Sequence, residues 1–381
     1  MSNTTEKKQA SLSFAAIDPF IQQNIPLPTE TKSRSGERID WGTGNRYPNY
    51  LLELYNTVPT LRAIINGNVD FIAGDEVTIK SLVEGLKPGT MNRRGDTIRE
   101  QVRDIAKDYE IYGGFCLQVI RDFAGRIAEV YYLDMRFVRM NKDCNVFYYC
   151  EDWGKMGHVK VQTYPAFLPG LENDWAEMDE KARKFHASSI LFVKSVHTQT
   201  YPAPLYAASV KDCEIERNIT DYHLNSLSNG FVSSLIVNFN NGIPTDEIKE
   251  EIENAFNEKF TGHQNAGRVM FSWNKNKESA TDIVEPKLED FGERYKALST
   301  HSRQQIFAAF RAVPALFGIM TESTGFNEQE FSQAFRLYNR TQIRPVQRII
   351  GDAYERIYGV PQPLTIKPFS VEESTTETTV Q

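Results

Sequence analysis

Side chains able to do chemistry are plentiful in this sequence, yet few stand at spacings that a reaction would use. His158, His186, His197, His223, His263 and His301 are scattered, and no two sit one helical turn apart, as two metal ligands on one helix face would. The chain has no Walker-type phosphate loop, no GxGxxG, no HExxH, no GxSxG and no EF-hand loop. Cys116, Cys144, Cys150 and Cys213 include no CxxC pair, so they read as reduced thiols packed as small apolar residues. No catalytic group, metal or cofactor is expected from these residues.

Two charged groupings remain. Asp246, Glu247, Glu250, Glu251 and Glu253 crowd one short helix, with Glu285, Glu289, Asp290 and Glu293 further on. A nuclease-type Mg²⁺ site would need carboxylates converging from separate strand ends. These lie along helix faces and starts, which favours a solvated acidic surface. Arg336, Arg340, Arg344 and Arg348 each follow the last by four residues, placing four guanidinium groups in one helical stripe. Like charges at that spacing repel unless something offsets them. The stripe is either an exposed face or a row that meets carboxylates of a neighbouring subunit or a phosphate backbone.

Helices and strands must carry these groups. Apolar residues from Leu51 to Ile72 recur at three and four, predicting a helical region over residues 48–73. A strand is expected over 75–83 and a helix over 95–112. Phe115 to Arg121 and Ile127 to Leu133 flank the turn Asp122 to Gly125, a hairpin pattern. Strand-like pieces continue at 137–138, 146–150, 159–161 and 190–193, making 75–195 an α+β block. After Tyr201-Pro202-Ala203-Pro204 a helix is expected over 205–230, ending at Asn229-Gly230. A strand, helix and strand follow at 234–239, 244–260 and 268–273. Two long helices, 290–311 and 327–358, complete the fold, the second kinked by Pro345. Between them lies a loop rich in Gly, Ser and Thr.

With 381 residues, 40% of them apolar, the chain has ample material for a core and for two or three domains. Its net charge of -7 argues against gripping nucleic acid through a broad basic surface, though not against letting it slide past. No run of apolar residues is long enough to span a membrane, and MSNTTEKKQAS lacks the apolar stretch of a signal peptide, so a cytoplasm-like setting is expected. Residues 1–48 and 361–381 are expected to be flexible.

The order of these segments resembles the portal proteins of tailed bacteriophages, in their HK97-like branch, over about residues 50–360. The hairpin IYGGFCLQVIRDFAGRIAEVYYLD is similar to the family's glycine-led I-R-D turn, and YPAPLYAASVKDCEIERNITDYHLNSLSNG to its P-L helix and break. The family often has a glycine before the P-L pair, where Tyr201-Pro202-Ala203 stands here. Most specific is the segment with Ile306, Phe310, Val313, Pro314, Leu316, Phe317 and Gly318, followed by Phe335 and Pro345.

The resemblance implies an α+β portal-type fold: a flexible arm (1–48), a wing (49–203), stem helices (204–232 and 289–312), a small α/β clip (233–288), a tunnel loop (313–326), and a long Pro-kinked helix with a short crown (327–360). It implies a structural protein, not an enzyme, forming a ring, usually dodecameric, at one capsid vertex of the virion after assembly in host cytoplasm. Double-stranded DNA would pass through it without sequence recognition. Its partners would be the terminase large subunit, a head-tail adaptor, and the major capsid or scaffold protein, with no membrane. Leu316, Phe317, Met320, Thr321, Glu322, Ser323 and Thr324 would form the tunnel loop. Residues 233–295 carry twelve carboxylates against seven bases, an excess of five negative charges per subunit that would make a repulsive passage. The alternatives are a metal-dependent DNA-processing enzyme and a ring-shaped head-tail adaptor without a portal role.

Overall fold

The computed structural model describes residues 26–33, 36–80, 83, 85–155, 159–195, 200–228, 235–239, 244–245, 247–249, 269–273, 289–319 and 328–369. In chain order the elements are β1 (Glu30–Lys32), β2 (Ile39–Trp41), α1 (Tyr47–Thr57), α2 (Pro59–Ala73), β3 (Glu76–Ile79), α3 (Ile98–Tyr112), β4 (Gly114–Arg121), β5 (Ile127–Leu133), β6 (Val138–Met140), β7 (Val146–Tyr149), β8 (Gln162–Pro165), α4 (Glu180–His186), β9 (Ser188–Lys194), α5 (Val210–Ser228), β10 (Leu235–Phe239), β11 (Val269–Trp273), α6 (Glu289–Ala309), α7 (Glu328–Tyr338), a π-helical turn (Asn339–Ile343), α8 (Arg344–Tyr358) and β12 (Leu364–Lys367).

The helical region expected at 48–73 is two helices. Val58 is extended (φ -102, ψ 107) because Pro59 crowds the residue before it out of the helical region. Pro59 then starts α2, where its missing N–H costs nothing. Helix α3 starts at a capping box in which the Thr97 hydroxyl accepts from Glu100 N–H at 3.2 Å and Glu100 Oε2 accepts from Thr97 N–H at 2.9 Å. It ends on Gly113 in the left-handed region (φ 84). A side chain there would also meet the Ala203 carbonyl.

Strand β4 is central to an antiparallel sheet of order β5-β4-β9, and α3 packs beside it. The β4–β5 hairpin stands where the sequence places it. A five-stranded sheet of order β1-β2-β6-β7-β8 lies alongside. Its last strand is 162–165 rather than 159–161. The two ends expected to be flexible are drawn into the fold in part: β1 and β2 pair through Glu30↔Trp41 and Lys32↔Ile39, and β12 pairs with β3 through Leu364↔Ile79 and Ile366↔Val77. Both recruitments bury apolar side chains, Trp41 on one and Leu364 on the other.

The core runs through α1, α2, α3, β4, the start of α5, the end of α6 and α8 as one cluster. At its edge Arg139 is buried. Its guanidinium donates to Asn45 Oδ1, to the Arg136 and Val138 carbonyls (2.9 and 2.8 Å) and to the Asn45 carbonyl (3.2 Å). It also lies over the Trp41 and Trp153 rings at 5.7 and 5.1 Å. Burial pushes its pKa down to about 10, which still leaves it charged at neutral pH. All four cysteines are free, three of them buried.

Beyond the core, α5 packs on α6, and β10 pairs in parallel with β11 in register Leu235↔Val269 to Phe239↔Trp273. A parallel pair needs a crossover, and of its described residues, 247–249 are helical.

Candidate functional site

The C-terminal helix turns its apolar side inward. Phe335, Tyr338, Ile343, Val346, Ile350, Ala353, Tyr354 and Ile357 are buried. Pro345 cannot donate to the turn before it, and the chain accommodates this by widening: Arg344 N–H donates to Asn339 O, a five-residue step, across the π turn. The opposite side presents Arg336, Arg340, Arg344 and Arg348, all exposed. Arg340, Arg344 and Arg348 make no ion pair with any described residue.

Leu316 and Phe317 were expected to belong to a loop projecting from the body, and the structure places them in it. Leu316 is buried, and the Phe317 ring packs among Phe71, Phe307 and Tyr338 at centroid distances of 6.0, 6.2 and 5.8 Å. It lies so close to α2 that a Cβ on Gly67 would come within 2.7 Å of the ring. The reason is hydrophobic: burying two large apolar side chains stabilises by about 2 kcal/mol each, which a polar loop could not recover. Met320, Thr321, Glu322, Ser323 and Thr324 lie outside the described residues, as do Asp246, Glu250, Glu251 and Glu253. Glu247 is exposed at the start of the crossover helix.

Tyr338, one residue before the π turn, donates to Asn68 Oδ1 at 2.7 Å, and Asn68 Nδ2 donates to Glu110 Oε2 at 2.8 Å. Burial raises the Glu110 carboxyl to about 7. This relay joins α7 to α2 and α3 through neutral donors. A second polar cluster joins α5 to the body. Arg217 bridges Glu214 (3.0 Å) and Glu53 (2.9 Å), while Glu216 Oε1 accepts from the Thr60 hydroxyl at 2.8 Å and lies 3.6 Å from Arg303 Nε. Glu214 Oε1, Glu216 Oε2 and Arg217 Nε are buried without a hydrogen-bond partner among the described residues.

Neither cluster was read from the sequence. Glu214 falls four residues after the apolar Val210, in phase with the buried face, and that polar intrusion was the available signal. Asn68 and Glu110 carry no local signature. Among the described residues no three His, Cys, Asp or Glu side chains converge on a point that could hold a metal ion. No described helix is long and apolar enough to cross a membrane.

An α+β body, a helix pair carrying a small parallel β unit, and a C-terminal helix broken at a proline together define an α+β fold of the portal type. Residues 93–370 match the phage portal protein family, so the chain belongs to that family, one of structural proteins. No curated protein sequence matches it. Among solved structures it is similar to the neck of an empty gene transfer agent particle computed with C6 symmetry (TM-score 0.53, 14% identity, 84% of each chain covered). It is also similar to the neck of the native particle computed with C12 symmetry (TM-score 0.51, 16% identity, 84% of each chain). An HK97 family phage portal protein from Corynebacterium diphtheriae aligns at TM-score 0.43 and 13% identity, over 89% of this chain and 96% of that one.

Proposed function

We infer that the chain is the subunit of a closed homo-oligomeric ring, dodecameric, at one capsid vertex of a virion, through which double-stranded DNA is packed and later ejected. Family membership over residues 93–370 carries this reading. A fold shared with a particle neck computed with C12 symmetry supports the subunit number.

In this reading residues 49–203 are the wing, turned toward the major capsid or scaffold protein. Helices α5 and α6 are the stem. Residues 233–288 are the clip that docks the terminase large subunit during filling and a head-tail adaptor afterwards. Residues 327–360 are the kinked helix and crown. The tunnel loop is centred on Met320 to Thr324, anchored at its base by Leu316 and Phe317. Assembly takes place in host cytoplasm.

Electrostatics supports a conduit rather than a clamp. A protein that neutralises several phosphates binds DNA tightly and salt-dependently, whereas residues 233–295, the clip and the start of the second stem helix, repeat five excess negative charges per subunit around the ring. The arginine row is then a subunit contact. Negative-stain imaging of purified protein tests the reading: rings with a central hole and a protruding clip are expected. A monomer in sedimentation at every salt concentration, at protein concentrations on the order of tens of micromolar, overturns it.

A further inference from the structure

We propose that the tip of the β4–β5 hairpin and the acidic turn beside it form the surface on which the arginine row of a second copy of this chain docks, an inference that rests on the ring assembly above.

The tip presents Phe123, fully exposed at 104% of its reference area. A single exposed phenylalanine is ordinary; this one is held on an unusually fixed support. Asp122 Oδ1 accepts from Ala124 N–H and Arg126 N–H, both at 2.9 Å, and Gly125 N–H donates to Asp122 O at 3.0 Å. Trp175 Nε1 donates to the Phe123 carbonyl at 3.0 Å. Gly125 (φ 84) packs against the Trp175 ring so closely that a Cβ would stand 2.5 Å from it. Behind the tip the buried Arg121 guanidinium donates to Gly125 O (2.7 Å), Leu168 O (2.9 Å) and Glu172 (3.0 Å). The tip is ordered before a partner arrives, so covering Phe123 loses little further conformational entropy.

The neighbouring surface extends the apolar contact and gives it a sign. Leu168 and Phe185 are both exposed on segments tied to Arg121, the first by the hydrogen bond above and the second through Arg121 N–H to Ala187 O at 2.9 Å. The turn that carries Trp175 and the first residue of α4 present Asp174, Glu177 and Glu180, all exposed and none in an ion pair with a described residue, while Lys181 and Lys184 are exposed further along α4. Arg183 pins that turn from below, donating to Met178 O at 2.8 Å.

On the C-terminal helix, Arg340, Arg344 and Arg348 are the converse: three exposed guanidinium groups without ion-pair partners, beside the exposed Leu337. Each surface supplies the charge the other lacks and an apolar group to cover. Docking would relieve the like-charge repulsion within each. Because the two surfaces differ, the contact is heterologous and propagates head to tail, the geometry from which rings close.

Charge exchange in the full-length chain tests the pairing, with the ring fraction read by sedimentation velocity and folding checked by circular dichroism. Asp174→Lys, Glu177→Lys and Glu180→Lys together should lower the ring fraction about tenfold or more, as should Arg340→Glu, Arg344→Glu and Arg348→Glu together. Combining all six should restore it to within about threefold of the parent. Phe123→Ser, which leaves the fold untouched, should lower it several-fold by itself. Rings unchanged by both the hairpin triple and Phe123→Ser overturn the proposal, and so does a sixfold variant no better than either triple. In each of those cases the parent still forms rings and the portal reading stands, whereas a parent that never forms rings removes that reading itself.

Discussion

Two joints hold the C-terminal helix and the α5–α6 pair to the body, and they are built from opposite materials. Tyr338, Asn68 and Glu110 join α7 to α2 and α3 through hydrogen bonds of 2.7 and 2.8 Å, around a carboxyl that burial favours in its neutral form. The α5–α6 joint uses Glu53, Glu214, Glu216, Arg217 and Arg303, and leaves two carboxylate oxygens and one guanidinium nitrogen buried without hydrogen-bond partners among the described residues. A neutral network loses little on burial if every member is satisfied, whereas buried ions lose hydration that their mutual attraction only partly returns. The C-terminal joint is therefore a fixed weld, and the α5–α6 joint one that salt and small displacements can loosen.

Cutting the charged joint should have the largest effect. Arg217→Ala leaves Glu214 buried with its ion-pair partner gone. Allowing for the partial exposure of Arg217, it should cost about 2 to 4 kcal/mol in denaturant unfolding. Hydrogen exchange should rise in α5 and α6 while α3 keeps its protection; equal loss in both would show the two joints to be one cooperative unit.

The neutral joint has a pH signature. Glu110 is pushed up to about 7 in the folded chain from an ordinary value of 4.5, so between those values the folded state holds a proton the unfolded state has lost. Its contribution is full below about 4.5, declines as pH rises to about 7, and is flat above. Glu110→Gln keeps an acceptor for Asn68 and should flatten that part of the profile, raising stability at pH 8 by on the order of 1 to 3 kcal/mol relative to its effect at pH 4.5. The side chains packed within reach of its charge, Tyr109, Tyr206 and Tyr338, ionise far above this window. A difference between parent and variant that does not change with pH would sink the assignment.

A smaller effect is expected where Phe317 meets α2. Gly67→Ala gains about 1 kcal/mol of helix propensity but drives a methyl into the ring 2.7 Å away. The two should nearly cancel in global stability, within about 1 kcal/mol, while limited proteolysis after Gly318 accelerates. Smallest of all, Phe123→Ser should change unfolding free energy by less than about 0.5 kcal/mol, since that side chain touches nothing within the chain.

Periodicity made the body legible. The α3 helix, the β4–β5 hairpin, the break at Pro202 and helices α5 and α6 follow from apolar spacing and turn residues in the sequence. Short strands did not, because β1, β2 and β12 are three or four residues long, too short to show an alternating pattern, and β2 and β12 are fixed by pairing with β6 and β3, far away in the chain. The arginine row was visible because its regular spacing is local. The packing of Leu316 and Phe317 was hidden for the reverse reason: nothing near them in sequence announces the cage that Phe71, Phe307 and Tyr338 form around Phe317. The two buried joints stayed hidden because their members come from helices 42 to 270 residues apart.

The π turn has a geometric effect on the arginines. In an uninterrupted α-helix each four-residue step overshoots a full turn by about 40°, so by the fourth arginine the row would have wound about 120° around the axis. From Arg340 to Arg344 the chain instead passes through the π turn, where four residues fall short of a revolution. The winding gained on one side of it is largely given back there, so the row winds by roughly 50° in place of about 120°, a straighter edge for a flat neighbour to meet.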